Sequence, residues 1–288
     1  MGLQGEGLMI NILKALIESL DLSIYSYVKP AAPHRFSTHF TDLHTYVKVL
    51  TDALGEYVKA IEKGFSVAEG KLGLDRVGLG ELIRNALSSS AKNLHLRGAH
   101  NLHLILIPVV ITASYAYKLE GRSSNFINRF NRGLKDILLY TGTKEVLTIY
   151  NALRTHEGIF KELLTRLSIT PGRIESEGMN LLDFYSELGY VDRALKFFSR
   201  NYNAISSYGQ KYVNVYVKTG DYNIAATRIF NDIVLDVANI KLPITYEGMS
   251  DIVKLLKIDR ELIKKGLDLS DLIPILTSSI FVGNIMIQ

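Results

Sequence analysis

Cysteine is absent from the 288 residues of this chain. Disulfide scaffolds, thiolate metal sites and cysteine nucleophiles are therefore excluded, and we expect a reducing, cytoplasmic environment. The N-terminal segment has no basic flank, and Glu6 and Glu18 surround its apolar part, so we do not interpret it as a signal peptide. The longest apolar runs, residues 104–117 and 272–287, are shorter than the roughly 20 residues of a membrane-spanning helix. We expect both to be buried in protein, with no membrane partner.

A dense run of lysine and arginine is also missing, although the formal net charge is +4. Without such a run, or a ladder of basic and aromatic residues, we expect no nucleic-acid partner. A mildly basic chain suits a phosphorylated small molecule equally well. Residues 73–78 begin like a P-loop but lack the Lys-Ser/Thr that follows, and there is no dinucleotide fingerprint, nucleophile elbow or zincin pair. Phosphates would have to bind at helix N-termini and to side chains.

What the sequence does contain is helical periodicity, with 47% apolar residues available for a core. The nearest approach to a strand is residues 211–217, whose flanks favour a helix instead. We predict an all-α fold, a single compact domain over residues 1–288, with 104–119 as its buried central helix. The predicted helices are residues 8–28, 42–62 (ended by Gly64), 81–92, 104–119, 125–140, 144–155, 156–167, 180–188, 192–198, 202–219, 221–239, 251–256, 260–265 and 270–287. Residues 69–80 should form a flexible connection, and Pro108 should sit in the first turn of its helix or kink it.

Six of the seven histidines fall in two breaks between these helices, at residues 28–44 and 95–103. Pro30 and Pro33 prevent a long helix in the first break. That break carries polar side chains that a linker does not need: Lys29, His34, Arg35, His39, Asp42 and His44. It leads into a helix N-terminus, which suits phosphate binding. Histidines spaced five apart do not share a helix face, so hydrogen-bonded loop histidines are a more common outcome than a metal site.

Single carboxylates and aromatic residues allow two interpretations each. Asp42, Asp183 and Asp192 are candidates for a magnesium ligand or a base, although a lone helical aspartate is more often a cap or a solvated residue. The i, i+4 stripe of Tyr208, Tyr212 and Tyr216 predicts packing along one helix, with nucleobase stacking as the alternative.

Short motifs occur in a particular order along the chain: Lys29-Pro-Ala-Ala-Pro-His-Arg-Phe before Asp42, Gly78-Leu-Gly-Glu-Leu-Ile, Gly98-Ala-His-Asn, Asn180-Leu-Leu-Asp-Phe-Tyr, Asp192-Arg and Leu269-Ser-Asp-Leu-Ile. In this order they resemble the triphosphoribosyl-dephospho-coenzyme A synthase family, and most closely its archaeal branch. Each match is short, so the order carries the resemblance. The chain departs from the family at Ala31, where the family has glycine, at Ala32, where it has asparagine, and in the altered glycine loop at 98–104.

The resemblance implies a transferase in which a hydroxyl acceptor such as dephospho-coenzyme A displaces adenine from the ribose of ATP. ATP would be the substrate and Mg²⁺ the metal. The implied binding residues are Lys29, His34, Arg35, Gly98, His100 and Asn101; Asp42 and Asp192 would be catalytic, with Asp42 also the metal ligand. Loss of the family glycines motivates an alternative, a catalytically degenerate relative that binds a ligand or partner. We further expect the two histidine-bearing loops to face each other across a cleft above the 104–119 helix.

Overall fold

The computed structural model describes residues 3–40, 43–94, 99, 101–155, 164–242 and 251–287. All regular secondary structure in this part of the chain is helical, which confirms the predicted all-α fold with a buried central helix. The described helices are α1 (Leu3–Tyr25), α2 (Leu43–Asp52), α3 (Leu54–Ala68), α4 (Leu79–Ser89), α5 (Leu102–Glu120), α6 (Phe126–Tyr140), α7 (Thr143–Thr155), α8 (Pro171–Ser176), α9 (Leu181–Leu188), α10 (Arg193–Asn201), α11 (Ala204–Thr219), α12 (Tyr222–Ala238), α13 (Ile252–Lys264) and α14 (Ile273–Ile287). Short 3-10 turns occur at Leu74–Arg76, Ala91–Asn93 and Ser270–Leu272.

Several predicted boundaries were wrong. The helix predicted at 42–62 is two helices, α2 and α3, with a break at Ala53, and the two short helices predicted at 251–265 are one, α13. Helix α8 was not predicted, and the 69–80 connection contains a 3-10 turn. The strand-like residues 211–217 lie within α11, as preferred. Residues 156–163 of the helix predicted at 156–167 lie outside the described part.

Helices α5 and α14 form the interior. Helix α5 packs against α3 and α6, α14 packs against α1 and α11, and the two central helices also touch each other. One cluster of buried apolar residues extends from Ile12 in α1 to Ile285 in α14. By length and composition alone, Leu102–Glu120 and Ser270–Ile287 are apolar enough to cross a membrane, but 83% and 89% of their apolar windows are buried inside the fold. Burial of this extent is what the sequence predicted for both segments.

Gly64 illustrates why one boundary prediction failed. It was expected to end a helix, yet it lies inside α3 and is buried. A Cβ atom at this position would be 2.4 Å from the carbonyl oxygen of Ile111 and 2.7 Å from Cβ of Ser114, both in α5. Glycine is therefore needed here because the backbones of α3 and α5 approach each other closely, and not because the chain turns.

Pro108 lies well inside α5 rather than in its first turn. Proline has no N–H, so the carbonyl of Leu104, four residues earlier, loses its intrahelical donor. The hydroxyl of Tyr185 in α9 donates a hydrogen bond of 2.6 Å to that carbonyl oxygen. Tyr185 is fully buried, and burial raises the pKa of its phenol well above the usual value, so the hydroxyl keeps its proton. A side chain from another helix thus satisfies the acceptor that the proline leaves open.

Candidate functional site

Lys29, the first cation of the proline-containing loop, is completely buried. Its Nζ donates to Oγ of Ser26 at 2.8 Å and reaches the carbonyl oxygen of Ile24 at 3.5 Å. Burial, with a smaller contribution from the positive charge of Arg35, holds the pKa of the Lys29 amine well below its ordinary value. In this conformation the amine therefore contacts the end of α1 and its neighbouring backbone, and not solvent.

His34 is buried as well, and it faces a carboxylate from the far end of the chain. Its Nδ1 accepts a hydrogen bond from the backbone N–H of Phe36 at 3.1 Å, so Nε2 carries the proton. Nε2 lies 3.5 Å from Oδ2 of Asp259 in α13, which is longer than a normal hydrogen bond. Burial therefore outweighs the attraction of Asp259, and the pKa of His34 is lowered.

Ala31 lies between Lys29 and His34 in the sequence, and hydrogen bonds hold both its N–H and its carbonyl group. Its N–H donates to Oδ1 of Asp259 at 2.8 Å, and its carbonyl accepts from the N–H of Leu269 at 2.7 Å. Ala31 has a φ of 58°, the left-handed conformation that glycine adopts readily and alanine rarely. This is the position at which the resembling family has glycine. The alanine therefore occupies a conformation in which glycine would be the less strained residue.

Arg35 is the exposed cation of this loop. Its Nε donates to the carbonyl oxygen of Tyr25 at 2.6 Å, and its Nη2 donates to Oδ1 of Asn223 in α12 at 3.1 Å. The guanidinium lies 5.4 Å from the ring centre of Tyr27. These contacts fix a positive charge at the surface where α1, the loop and the first turn of α12 meet.

Asn101 and Asp192, which are 91 positions apart in sequence, are directly bonded. The amide of Asn101 donates to both carboxylate oxygens of Asp192, at 3.1 and 3.0 Å. Oδ1 of Asp192 also accepts the N–H of Leu195, so this residue is the N-cap of α10. Within the described residues, the buried Oδ1 of Asn101 has no hydrogen-bond partner.

Arg193, next to Asp192, connects the Asn101–Asp192 pair to residues 268–271. Its Nε and Nη2 form a bidentate pair with the carboxylate of Asp271, at 2.8 and 2.7 Å, and Nη2 also reaches the carbonyl oxygen of Asp268. Asp271 lies in the 3-10 turn that follows Leu269, the residue bonded to Ala31. We use the term loop network for the resulting connected set: His34, Asp259, Ala31, Leu269, Asp271, Arg193, Asp192 and Asn101.

His103 does not belong to the loop network. Its Nδ1 is 2.9 Å from the hydroxyl of Tyr57, and its Nε2 is 2.8 Å from Oγ of Ser90, which itself donates to the carbonyl of Ala86. All three side chains are buried, and burial lowers the pKa of His103 to about 3. It is a neutral core histidine with both nitrogens satisfied. His39 and His44 are exposed.

Asp42, Gly98 and His100 lie outside the described residues, and with them the predicted metal ligand and the predicted cleft between the two loops. Among the residues that are described, no group of three or more His, Asp or Glu side chains is arranged to hold a metal ion. Asp183, the other candidate carboxylate, forms a capping box with Asn180 at the start of α9.

The Gly78-Leu-Gly-Glu motif has a packing explanation. Gly78 has a φ of 69° and is the N-cap of α4. A Cβ on Gly80 would lie 2.5 Å from the carbonyl oxygen of Glu145 in α7. The Gly80 N–H also donates to the carboxylate of Glu145 at the start of α4. The two glycines thus allow α4 to begin against α7.

Asp259, the central residue of the loop network, was not among the site residues predicted from the sequence. The signal is present in α13, where Ile252, Leu255, Asp259 and Leu262 follow helical spacing. Asp259 therefore occupies a core-facing position and is 5% exposed. A buried carboxylate needs partners, and here they come from the 31–34 loop.

No protein-family model matches this sequence, and no solved structure matches it significantly. The fold and the loop network are therefore the basis on which a function is proposed.

Proposed function

We propose that the chain binds a phosphorylated nucleotide beside the loop network and acts as a transferase of the triphosphoribosyl-dephospho-coenzyme A synthase type. The supporting observation is the loop network itself. Motifs that carry the family resemblance lie around residues 29–36, 101, 192–193 and 269–271, and hydrogen bonds connect all four groups. Ala31 adds to this support, because it adopts a left-handed conformation that glycine favours, at the position where the resembling family has glycine.

In the proposed reaction, a hydroxyl oxygen of the acceptor attacks C1′ of the ATP ribose. The new C–O bond forms as the glycosidic C–N bond to adenine breaks, and the hydroxyl proton leaves with a base or with adenine. Arg35 is the exposed cation of the loop at residues 29–36 and would contact the phosphates. Mg²⁺ would neutralise phosphate charge. Lys29 and His34 would not contact the nucleotide directly, since both are buried and support the loop from inside.

The burial of Lys29 and His34 favours a second candidate, the catalytically degenerate relative. A triphosphate transferase of this kind would benefit from accessible cations, and these two side chains have protein partners instead. Such a relative would retain ligand or partner binding at the same surface without releasing adenine.

The test is thermal unfolding of the full chain with ATP and Mg²⁺, followed by an assay for adenine. A ligand at about 100 times its dissociation constant stabilises the folded state by about 2.7 kcal/mol, which raises the melting temperature by roughly 4–5 °C for a chain of this size. Arg35→Ala should remove most of this shift, whereas Arg84→Ala, at an exposed arginine in α4, should keep it.

The adenine assay separates the two candidates. Adenine released from ATP in the presence of dephospho-coenzyme A, above the rate without protein, supports the transferase. A thermal shift without release supports the degenerate relative. No shift at millimolar ATP would overturn the nucleotide proposal.

A further inference from the structure

A cavity of about 370 Å³ lies between α11, α12 and the chain that follows α12. It forms because α12 ends at Asn239, whose φ of 54° turns the chain back. Lys241 and Leu242 thereby come to line the groove between the two helices. The volume is within the range of small-molecule sites in proteins.

The cavity has a cationic part and an apolar part. Its described lining includes three cations, Lys211, Arg228 and Lys241, and one carboxylate, Asp232, which gives a formal charge of +2. Ile229, Leu235 and Leu242 supply apolar surface in the same cavity. A site of this composition fits an organic anion with an apolar body.

The cations are able to turn toward such a ligand. Nζ of Lys211 pairs with Oδ2 of Asp232 at 3.2 Å, but the two side chains are 56% and 45% exposed. A pair exposed to this extent contributes little to stability, so an anion can displace it at small cost. Arg228 has another contact within the fold, and we therefore assign the anion to Lys211 and Lys241.

Asn231 gives an independent indication of a ligand. Its Oδ1 is buried, lacks a hydrogen-bond partner among the described residues, and belongs to a residue that lines the cavity. A buried acceptor without a partner is unfavourable in the empty protein. Because this oxygen has no surface open to solvent, the Asn231 side chain would have to rotate into the cavity, where it would accept from a ligand hydroxyl or amine or donate to an anion.

We propose that this cavity is a binding site for a small amphiphilic organic anion, a phosphate or carboxylate with an apolar or aromatic body. It is separate from the surface proposed for the nucleotide. Arg35 contacts α12 at Asn223, about 8 Å along the helix from Arg228, the nearest cavity-lining residue of α12, and about 18 Å from Leu235, the farthest. The two proposals can therefore fail independently.

The test uses 1-anilinonaphthalene-8-sulfonate, an aromatic anion whose fluorescence reports binding, titrated into the full chain. We expect saturable binding that Lys241→Glu weakens by roughly tenfold, because an attractive contact becomes repulsive. Leu235→Ser, at a side chain that is 43% exposed, should weaken it by roughly threefold to tenfold without unfolding the protein. Lys144→Glu makes the same charge change at an exposed site in α7 and should leave the affinity within about twofold.

Competition then identifies the anionic group. Displacement of the dye by phenyl phosphate and not by phenylacetate indicates a phosphate, and the reverse indicates a carboxylate. The proposal is overturned if the dye does not bind, if neither compound displaces it, or if Lys241→Glu and Lys144→Glu have equal effects. Circular dichroism of each variant confirms that a lost signal is not lost folding.

Discussion

Replacing Tyr185 with phenylalanine tests the explanation for a proline inside the central helix. The substitution removes the hydroxyl that donates to the Leu104 carbonyl and changes nothing else in the side chain. The carbonyl then has no donor from Pro108 and none from α9, in a part of the fold where Leu104 is fully buried. Leaving such an acceptor unsatisfied costs about 1–3 kcal/mol, so the free energy of unfolding should fall by that amount.

A second substitution shows whether the Tyr185 hydroxyl is needed because Pro108 lacks an N–H. In Pro108→Ala the backbone N–H is restored and can donate to the Leu104 carbonyl. Tyr185→Phe in this background should then cost less, about 0.5–1.5 kcal/mol, the ordinary net value of one hydrogen bond. The difference between the two costs, roughly 1 kcal/mol, is the coupling between residues 108 and 185.

The measurement is urea unfolding of the four proteins in this cycle, followed by circular dichroism. The m-value should stay the same in all four, so that the midpoints report stability alone. If Tyr185→Phe costs the same with proline and with alanine at position 108, the hydroxyl is not compensating for the missing N–H, and the reasoning fails.

Two further predictions concern buried titratable groups. For His103, the folded pKa of about 3 lies below the unfolded value of about 6.5, so only the unfolded state gains a proton between these values and stability falls with acidification. The loss should be about 2 kcal/mol between pH 6.5 and 5, and urea unfolding of His103→Gln should show a shallower dependence; an equal slope would contradict the assignment. For Lys29, the lowered pKa means that the unfolded state holds the extra proton, so stability rises as the pH increases toward the unfolded value of about 10. Lys29→Met should remove that rise and leave stability at pH 7 equal or higher, and a large loss at pH 7 would show that the amine is needed in its charged form.

The fold class was predictable because helical periodicity is a local property. The boundaries that failed depend on partners that are distant in sequence. Gly64 has the features of a helix terminator until α5 is placed against it. The two helices predicted within α13 are one continuous helix, on which Asp259 occupies a core-facing position that a carboxylate rarely takes.

The candidate site was predictable only in part. Composition singled out the loop that carries Lys29, His34 and Arg35, but their orientations depend on packing. The loop meets Asp259 and Leu269, which are more than 220 positions away, and these contacts turn Lys29 and His34 inward while Arg35 stays exposed. The pairing of Asn101 with Asp192 was likewise invisible, since each residue alone has the features of an ordinary loop or cap residue.

The position of α14 in the interior affects the order in which the protein is completed during synthesis. Thr277 in α14 donates to Oγ of Ser23 in α1, across 254 positions. At about 5–20 residues per second, the ribosome needs roughly 10–50 s to make the intervening chain. Throughout that interval the inner face of α1 and the 31–34 loop lack the partners that cover them in the finished fold. The native arrangement of the first thirty or so residues is therefore among the last to form. Until it forms, the nascent chain must avoid aggregation.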